Sequence, residues 1–314
     1  MEDQIKMFRK TGTLLTAALL GLTATIGAAG PASAAPSASA DAPTFSLSRL
    51  VLEPTERGYR GSLRVTITNN SDSTQGFYFR IREAVAGSFS GGVESRCESD
   101  GVEEGLLVRT CALPRGNDLA PGESRRATVE FQVLTTPRSY PMIAAGGLVT
   151  AYSYETGSLG TVPFSAQFRS LDGKLARPQT YVQDAQANAS VELAGPVTDG
   201  PENTRRVPLR VRYSGDARQL GSSLTATGLP AGSMILFTEP FDGPVYGPQA
   251  FVPGGLLMQG EERDVALFIS RPTDPADEAT TITVELATLY WNETVPDVDP
   301  SDNTVTFNLA VAAG

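Results

Sequence analysis

The 314-residue chain contains no histidine. Histidine alone has an unperturbed pKa between about pH 5 and 8, and it is the commonest metal ligand. Its absence removes the Ser-His-Asp triad, the Cys-His dyad, the His-Glu-x-x-His zinc site and any imidazole proton shuttle. Catalysis would have to run through carboxylates, Lys, Tyr or a bound cofactor. Tryptophan occurs once, at Trp291, and aromatic residues make up only 7% of the chain. Few rings are therefore left for a carbohydrate platform once the core has taken its share. Cysteine occurs twice, at Cys97 and Cys111, and the longest apolar stretch falls short of the ~20 residues of a membrane-spanning helix.

The N-terminus reads as a secretory signal. Lys6, Arg9 and Lys10 form a positive region ahead of an apolar stretch from Thr13 to Ala29. Ala32-Ser33-Ala34 and Ala38-Ser39-Ala40 both fit the small-x-small pattern, so cleavage is expected after Ala34 or Ala40. No cysteine follows the stretch to carry a lipid, and no second apolar segment appears. The expected product is secreted or extracellular, either free or cell-wall associated, with no integral membrane segment in the mature chain. In an oxidising compartment the even cysteine count predicts a Cys97–Cys111 disulfide, a local staple on a long excursion.

The formal charge is −10, and removing residues 1–40 leaves about −11. That balance disfavours nucleic acid and anionic membranes, which need basic patches. Arg125-Arg126 and Arg205-Arg206 are the densest basic spots. With no Gly-rich loop beside them, they read as solvated strand ends rather than phosphate sites.

Gly 31 and Pro 22 together make about 17% of the chain, against roughly 12% in average usage. Spread among short apolar runs, they mark frequent turns and predict an all-β chain. Leu63-Arg64-Val65-Thr66-Ile67 alternates apolar with polar and closes on Asn69-Asn70-Ser71. Phe77, Phe79 and Ile81 share one face of the next run. Further strands are expected at Thr128 to Leu134, Leu148 to Tyr154, Val207 to Tyr213, Met234 to Phe237, Val265 to Ile269, Ile282 to Tyr290 and Thr304 to Val311. A polar, Gly/Pro-containing stretch from Leu171 to Pro178 places a domain boundary, giving domains 41–172 and 173–314. The halves echo each other: Gly122-Glu123-Ser124-Arg125 and Gly260-Glu261-Glu262-Arg263 each lead into a strand, 138 residues apart. The strand–turn pairs at 63–71 and 207–216 lie at a similar offset.

Leu229-Pro230-Ala231-Gly232 followed by Met234-Ile235-Leu236-Phe237 resembles the Leu-Pro-x-Gly turn and strand of bacterial conserved-repeat domains. Asp299-Pro300-Ser301-Asp302-Asn303 with Thr304-Val305-Thr306-Phe307 is similar to the acidic turn and last strand of those repeats and of cell-adhesion-type domains. The resemblance covers roughly residues 180–314 and implies an immunoglobulin-like β-sandwich on an exported, non-catalytic protein. The composition, low in Lys and high in Ala, Gly and Pro, also looks actinobacterial. The expected architecture is two tandem immunoglobulin-like β-sandwich domains behind a signal peptide.

Asp297, Asp299 and Asp302 gather in one loop, and Asp274, Asp277 and Glu278 in another. Clustered carboxylates are how extracellular modules bind calcium, but Asp and Asn also favour tight turns by bonding their own backbone. Turn chemistry is the preferred reading, and calcium on Asp297, Asp299 and Asp302 the alternative. No catalytic or cofactor-binding residue is assigned. Tyr290 and Trp291 are adjacent on a strand, so one should be buried and the other exposed; Tyr152 and Tyr154 share a face. The expected function is non-catalytic binding, adhesion or structure, with a protein or glycan partner of the cell envelope or extracellular space. A carbohydrate-binding accessory, dependent on Trp291, is one alternative, and a carboxylate-dependent hydrolase another.

Overall fold

The computed structural model describes residues 41–89, 96–272 and 274–310. The signal segment and both cleavage positions, Ala34 and Ala40, lie outside these residues, as does Val311. The first sandwich contains β1 (Thr44–Leu47), β2 (Leu50–Thr55), β3 (Gly58–Thr68), β4 (Gln75–Arg82), β5 (Cys97–Glu103) and β6 (Leu106–Ala112). It continues with β7 (Asp118–Leu119), β8 (Ser124–Val133), β9 (Met142–Ser153), β10 (Gly157–Phe168) and β11 (Gln179–Thr180). The second sandwich begins with β12 (Ala189–Leu193), β13 (Thr198–Asp199), β14 (Thr204–Tyr213), β15 (Gly221–Thr227), β16 (Ile235–Glu239) and β17 (Val245–Tyr246). Then come β18 (Gln249–Phe251), β19 (Glu261–Ser270), β20 (Ile282–Tyr290), β21 (Glu293–Thr294) and β22 (Thr304–Phe307). The one helical piece among the described residues is a 3-10 turn, Pro275–Ala279.

In the first sandwich β3 pairs with β1 on one side and β8 on the other, while β10, β9, β4, β6 and β5 form the facing layer. β2 joins the two layers. Leu50–Leu52 run parallel to β10, and Glu53–Thr55 turn back antiparallel onto β3. In the second sandwich β12-β14-β19-β16 face β17-β18-β15-β20, with β21 and β22 also paired to β20. This two-layer antiparallel arrangement is immunoglobulin-like.

Alternation decides what lies inside, because successive strand residues face opposite ways. Leu63, Val65 and Ile67 of β3 and Ala127, Val129 and Phe131 of β8 meet Phe77, Phe79 and Ile81 of β4 across the first core, all buried. Val207, Leu209 and Val211 with Val265, Leu267 and Ile269 do the same for the second core, against Leu224, Val284 and Leu286. The polar alternates make ion pairs on the outer faces, such as Arg210 with Asp264 and Arg212 with Glu262.

The two Gly-Glu-x-Arg segments build the same turn. Gly122 (φ +75°) donates its N–H to the Asn69 carbonyl (2.7 Å), and Gly260 (φ +80°) to the Tyr213 carbonyl (2.8 Å). Glycine supplies this left-handed conformation at no steric cost. Glu123 accepts the Ala120 amide (2.9 Å) and Glu261 the Met258 amide (2.8 Å), and each carboxylate is also held by the arginine two residues on. The strands that follow pair with β3 and β14 over ten residues each.

Three expectations need correction. The stretch Leu171–Pro178 does not end the first sandwich. It folds into a turn in which Ser170 and Lys174 bond each other, and the chain then returns so that β11 pairs with β9. Arg205 is not a solvated strand end. It points inward opposite Ile269, is 6% exposed and makes two 2.7 Å bonds to Glu278. The last strand ends at Phe307 rather than Val311, because Leu309 and Ala310 instead donate to the Glu278 carbonyl.

The Cys97–Cys111 disulfide joins directly opposed residues of the β5–β6 hairpin at the layer's edge. β5 carries Glu98, Asp100 and Glu103 with a bulge between Ser99 and Gly101, features that deter pairing with another chain's strand. For a closure of 14 residues, loss of the bond in a Cys97→Ser/Cys111→Ser variant should cost about 3 kcal/mol of unfolding free energy by urea titration.

A second expectation concerns acid. The Ala120 amide and Arg125 hold the Glu123 carboxyl below its ordinary 4.5. At Glu261 burial works in the opposite direction, but the Met258 amide and Arg263 outweigh it. A depressed carboxyl contributes stability that is complete above the ordinary value and lost as the pH falls through the depressed one. A Glu123→Gln/Glu261→Gln variant should therefore show a flatter loss of melting temperature below pH 4.5 than the parent.

Candidate functional site

Three places concentrate chemistry: the junction between the sandwiches, a groove on the second, and a shelf on the first.

At the junction Glu83, just beyond β4, is fully buried. Its carboxylate accepts the amides of Leu107 (2.8 Å), Gly87 (2.8 Å) and Ser88 (2.9 Å) and, from the second sandwich, the Tyr290 hydroxyl (2.8 Å). Burial pushes the Glu83 carboxyl above its ordinary range, while the four donors pull it back. The Arg109 guanidinium, itself lying over the Phe89 ring at 4.8 Å, feels the same carboxylate. Burial also raises the Tyr290 phenol, and Arg218 covers its ring at 4.9 Å.

Main-chain contacts surround this centre. Gly87 adopts φ +76° with its Cα so close to Gln219 that a Cβ would meet the Gln219 carbonyl at 2.7 Å. Gln183 donates to the Ala86 carbonyl (3.0 Å). The Gln259 amide donates to the Leu134 carbonyl (3.0 Å), and its side-chain oxygen accepts the Thr136 amide (2.9 Å). Arg57 reaches the Leu256 carbonyl (2.7 Å), and Tyr181 donates to Asp216 (2.9 Å).

The groove lies on the outer face of the β14–β19–β16 layer. Arg206, Phe268 and Phe237 stand side by side in register, and Phe237 stacks on Phe268 with centroids 4.4 Å apart. Phe241, beyond the cis Glu239–Pro240 bond, meets Phe237 edge-on at 5.9 Å and is 83% exposed. An Arg206–Glu239 ion pair (2.9 Å) divides the surface into concavities of about 470 and 460 Å³. Asp199 and Pro201 border the first, and Pro208 and Pro240 the second.

On the first sandwich Tyr78 of β4 opposes Tyr152 of β9, their rings parallel at 4.9 Å. Tyr154 lies 5.0 Å from Tyr78, and its hydroxyl accepts the Asn117 side-chain amide (3.0 Å). On the other side Tyr78 opposes Ala112, next to a concavity of about 370 Å³ lined in part by Arg96, Arg115 and Asn117.

Of the acidic residues named from sequence, Asp297, Asp299, Asp274 and Glu278 are engaged in local structure. Asp297 accepts the amides of Ala189 and Asp299 (both 3.0 Å), and Asp299 accepts the Ser301 amide (3.1 Å) and hydroxyl (2.6 Å). Burial, with Asp299 and Asp297 nearby, raises the Asp302 carboxyl. Asp274 caps the 3-10 turn and Glu278 binds Arg205. Among the described residues no group of three or more His, Cys, Asp or Glu is placed to hold a metal ion. Tyr290 is buried and Trp291 is 40% exposed in the turn that follows. Tyr152 and Tyr154 share a face, joined by Tyr78, which carries no sequence signal beyond its place in β4. Asn69 of the Asn69-Asn70-Ser71 turn is fully buried, donating to the Ser73 and Leu119 carbonyls. Among the described residues no helix is long and apolar enough to cross a membrane.

No protein-family model matches the chain, and no curated protein matches it. Among solved structures, it is similar to a protein of unknown function from Porphyromonas gingivalis W83, at 14% identity and a TM-score of 0.20, over 84% of this chain and 97% of that one. The YadV chaperone aligns over 84% of this chain and 99% of its own, at 6% identity and a TM-score of 0.23. PapD-like domain 7 of human CEP192 aligns over 49% and 100%, at 12% identity and a TM-score of 0.22.

Removing the Glu83 carboxylate strands several buried donors, each worth about 1–3 kcal/mol when unsatisfied. Glu83→Ala should lose about 3 kcal/mol in urea unfolding and split a single transition into two. Tyr290→Phe, which removes one donor to a charged acceptor, should lose about 2 kcal/mol. Unchanged midpoints in both variants would contradict a joining role for this carboxylate.

Proposed function

We propose that this is an exported, non-catalytic binding protein whose two sandwiches act as one rigid body and present the phenylalanine groove to a partner protein of the cell exterior. The carrying observation is the groove itself. Solvent-facing positions of an outer strand layer are ordinarily polar, yet Phe268 occupies one and is covered by the half-buried Phe237 and the exposed Phe241 beside an open concavity. Exposed apolar surface rimmed by charge is the signature of an interaction site.

The fitting occupant is an extended segment that places apolar side chains against Phe237 and Phe241 while its own charges meet Arg206, Glu239 and Asp199. Non-catalytic action is supported by the use made of the carboxylates. Glu83, whose carboxyl is raised by burial, is sealed from solvent and saturated with donors, whereas a catalytic acid must reach substrate. Export is supported by the basic-then-apolar N-terminus and the disulfide. The domain division falls after Tyr181, whose amide still bonds the Ile143 carbonyl of β9. Kinship with bacterial conserved-repeat domains is supported by the turns at Pro230–Ser233 and Asp299–Asp302, which lead to β16 and β22.

In the cells that make the protein, a photo-crosslinking residue at position 241 should give a discrete adduct, while one at Leu171, exposed on the first sandwich, should not. Mass spectrometry of the adduct should find the chain beginning at residue 35 or 41. Equal labelling at both positions, or none at 241, contradicts the groove reading; an intact leader on the abundant form contradicts export.

A further inference from the structure

We infer that the tyrosine–arginine shelf of the first sandwich is a binding site for an anionic saccharide. The shelf is separate from the phenylalanine groove and requires no partner protein.

The protein carries a formal −10, and several arginines of the same sandwich are matched to carboxylates: Arg80 to Asp100 and Glu103, Arg82 to Glu104, Arg125 to Glu123; Arg49, Arg64 and Arg126 are exposed and unmatched among the described residues. Arg96 and Arg115 are exposed and make no ion pair or side-chain hydrogen bond with the described residues, although they line the same concavity. Arg115 is fixed in the left-handed region (φ +65°), in a turn whose next residue, Gly116, accepts a bond from Arg125. Asn117 supports the floor: its side-chain oxygen accepts the Leu113 amide (2.9 Å) while its nitrogen donates to Tyr154.

The aromatic half supplies what the two guanidinium groups alone lack. Tyr154 is 63% exposed, and its ring is braced by Tyr78 and its hydroxyl by Asn117, so little side-chain entropy is left to lose on binding. A ring face held beside hydrogen-bonding groups suits the apolar face of a pyranose, and the arginine fork suits carboxylate or phosphate oxygens. The nearby acids include Asp118 and Glu155, both on the Gly76 side of Tyr154, Glu98, exposed two residues beyond Arg96, and Glu123, which is paired with Arg125. Glu155 is turned to the Gly76 amide (3.2 Å) and the Ser153 hydroxyl (2.9 Å). A sugar acid laid across the shelf would place its ring against Tyr154 and its anionic group at Arg96 and Arg115.

The test is isothermal titration of the mature chain with tetragalacturonate and with neutral maltotetraose. The acidic oligosaccharide should bind at least about tenfold more tightly than the neutral one, and weaken as salt rises. Arg96→Ala/Arg115→Ala and, separately, Tyr154→Ala should each weaken it about tenfold with the melting temperature unchanged. Phe241→Ala should leave it unaffected, which separates this site from the groove. Absence of binding, equal binding of both saccharides, or binding indifferent to these substitutions would overturn the proposal. So would full competition by inorganic phosphate together with equal affinity for monogalacturonate, which would reduce the shelf to a simple anion site.

Discussion

A carboxylate removed from water must find its hydrogen-bond donors within the protein, and Glu83 finds them on both sandwiches at once. The Gly87 and Ser88 amides fix the loop that leaves β4, the Leu107 amide ties it to β6, and the Tyr290 hydroxyl arrives from β20. The loop so fixed continues to β8, where the Gln132 amide bonds the Ser88 carbonyl (2.7 Å). It also sets Gly87 against the Gln219 backbone and the Ala86 carbonyl against Gln183. One acid therefore links both layers of the first sandwich to the second. Such a group stabilises less than an apolar core of equal volume, but its removal is costly because its donors have no alternative. Its value lies in specifying a single arrangement of the two sandwiches.

That rigidity bears on binding. A groove on one sandwich and a shelf on the other keep a fixed spacing only if the junction does not hinge. The junction carries directional bonds across it from Gln183 to the Ala86 carbonyl and from the Thr136 amide to Gln259. Directional bonds fix an angle where an apolar seam would tolerate sliding. Both concave surfaces lie on outer faces, where a side chain is free to serve a ligand because it is not needed for folding.

The sequence made the sandwich cores legible and left the junction hidden. The alternation at Leu63–Ile67, Phe77–Ile81 and Val207–Tyr213 identifies the core faces, since a buried face imposes its period on the residues. The paired Gly-Glu-x-Arg segments are equally readable, because one turn requires the same glycine and the same acid twice. β15 escapes notice: its buried positions hold Ser222 and Ser223, so no apolar period marks it. Glu83 carries no pattern at all, because its partners are mostly main-chain amides and a tyrosine 207 residues away. Arg205 misleads for a related reason: a charged pair such as Arg205-Arg206 reads as solvated until Glu278 is brought over it. The aromatic surfaces were half visible. Tyr152 and Tyr154 share a face by spacing alone, but Tyr78, Arg96 and Arg115 join them only through strand pairing and a turn.

The central claim is that Glu83 and its donors belong to the stable interior of one two-sandwich body. Native-state amide hydrogen exchange tests it directly, because protection reports the free energy of the opening that frees each N–H. The Leu107, Gly87 and Ser88 amides should exchange as slowly as core amides such as Val149 in the first sandwich and Leu286 in the second. Fast exchange of the three, with both cores still protected, would show that the sandwiches part readily at the junction and would contradict it.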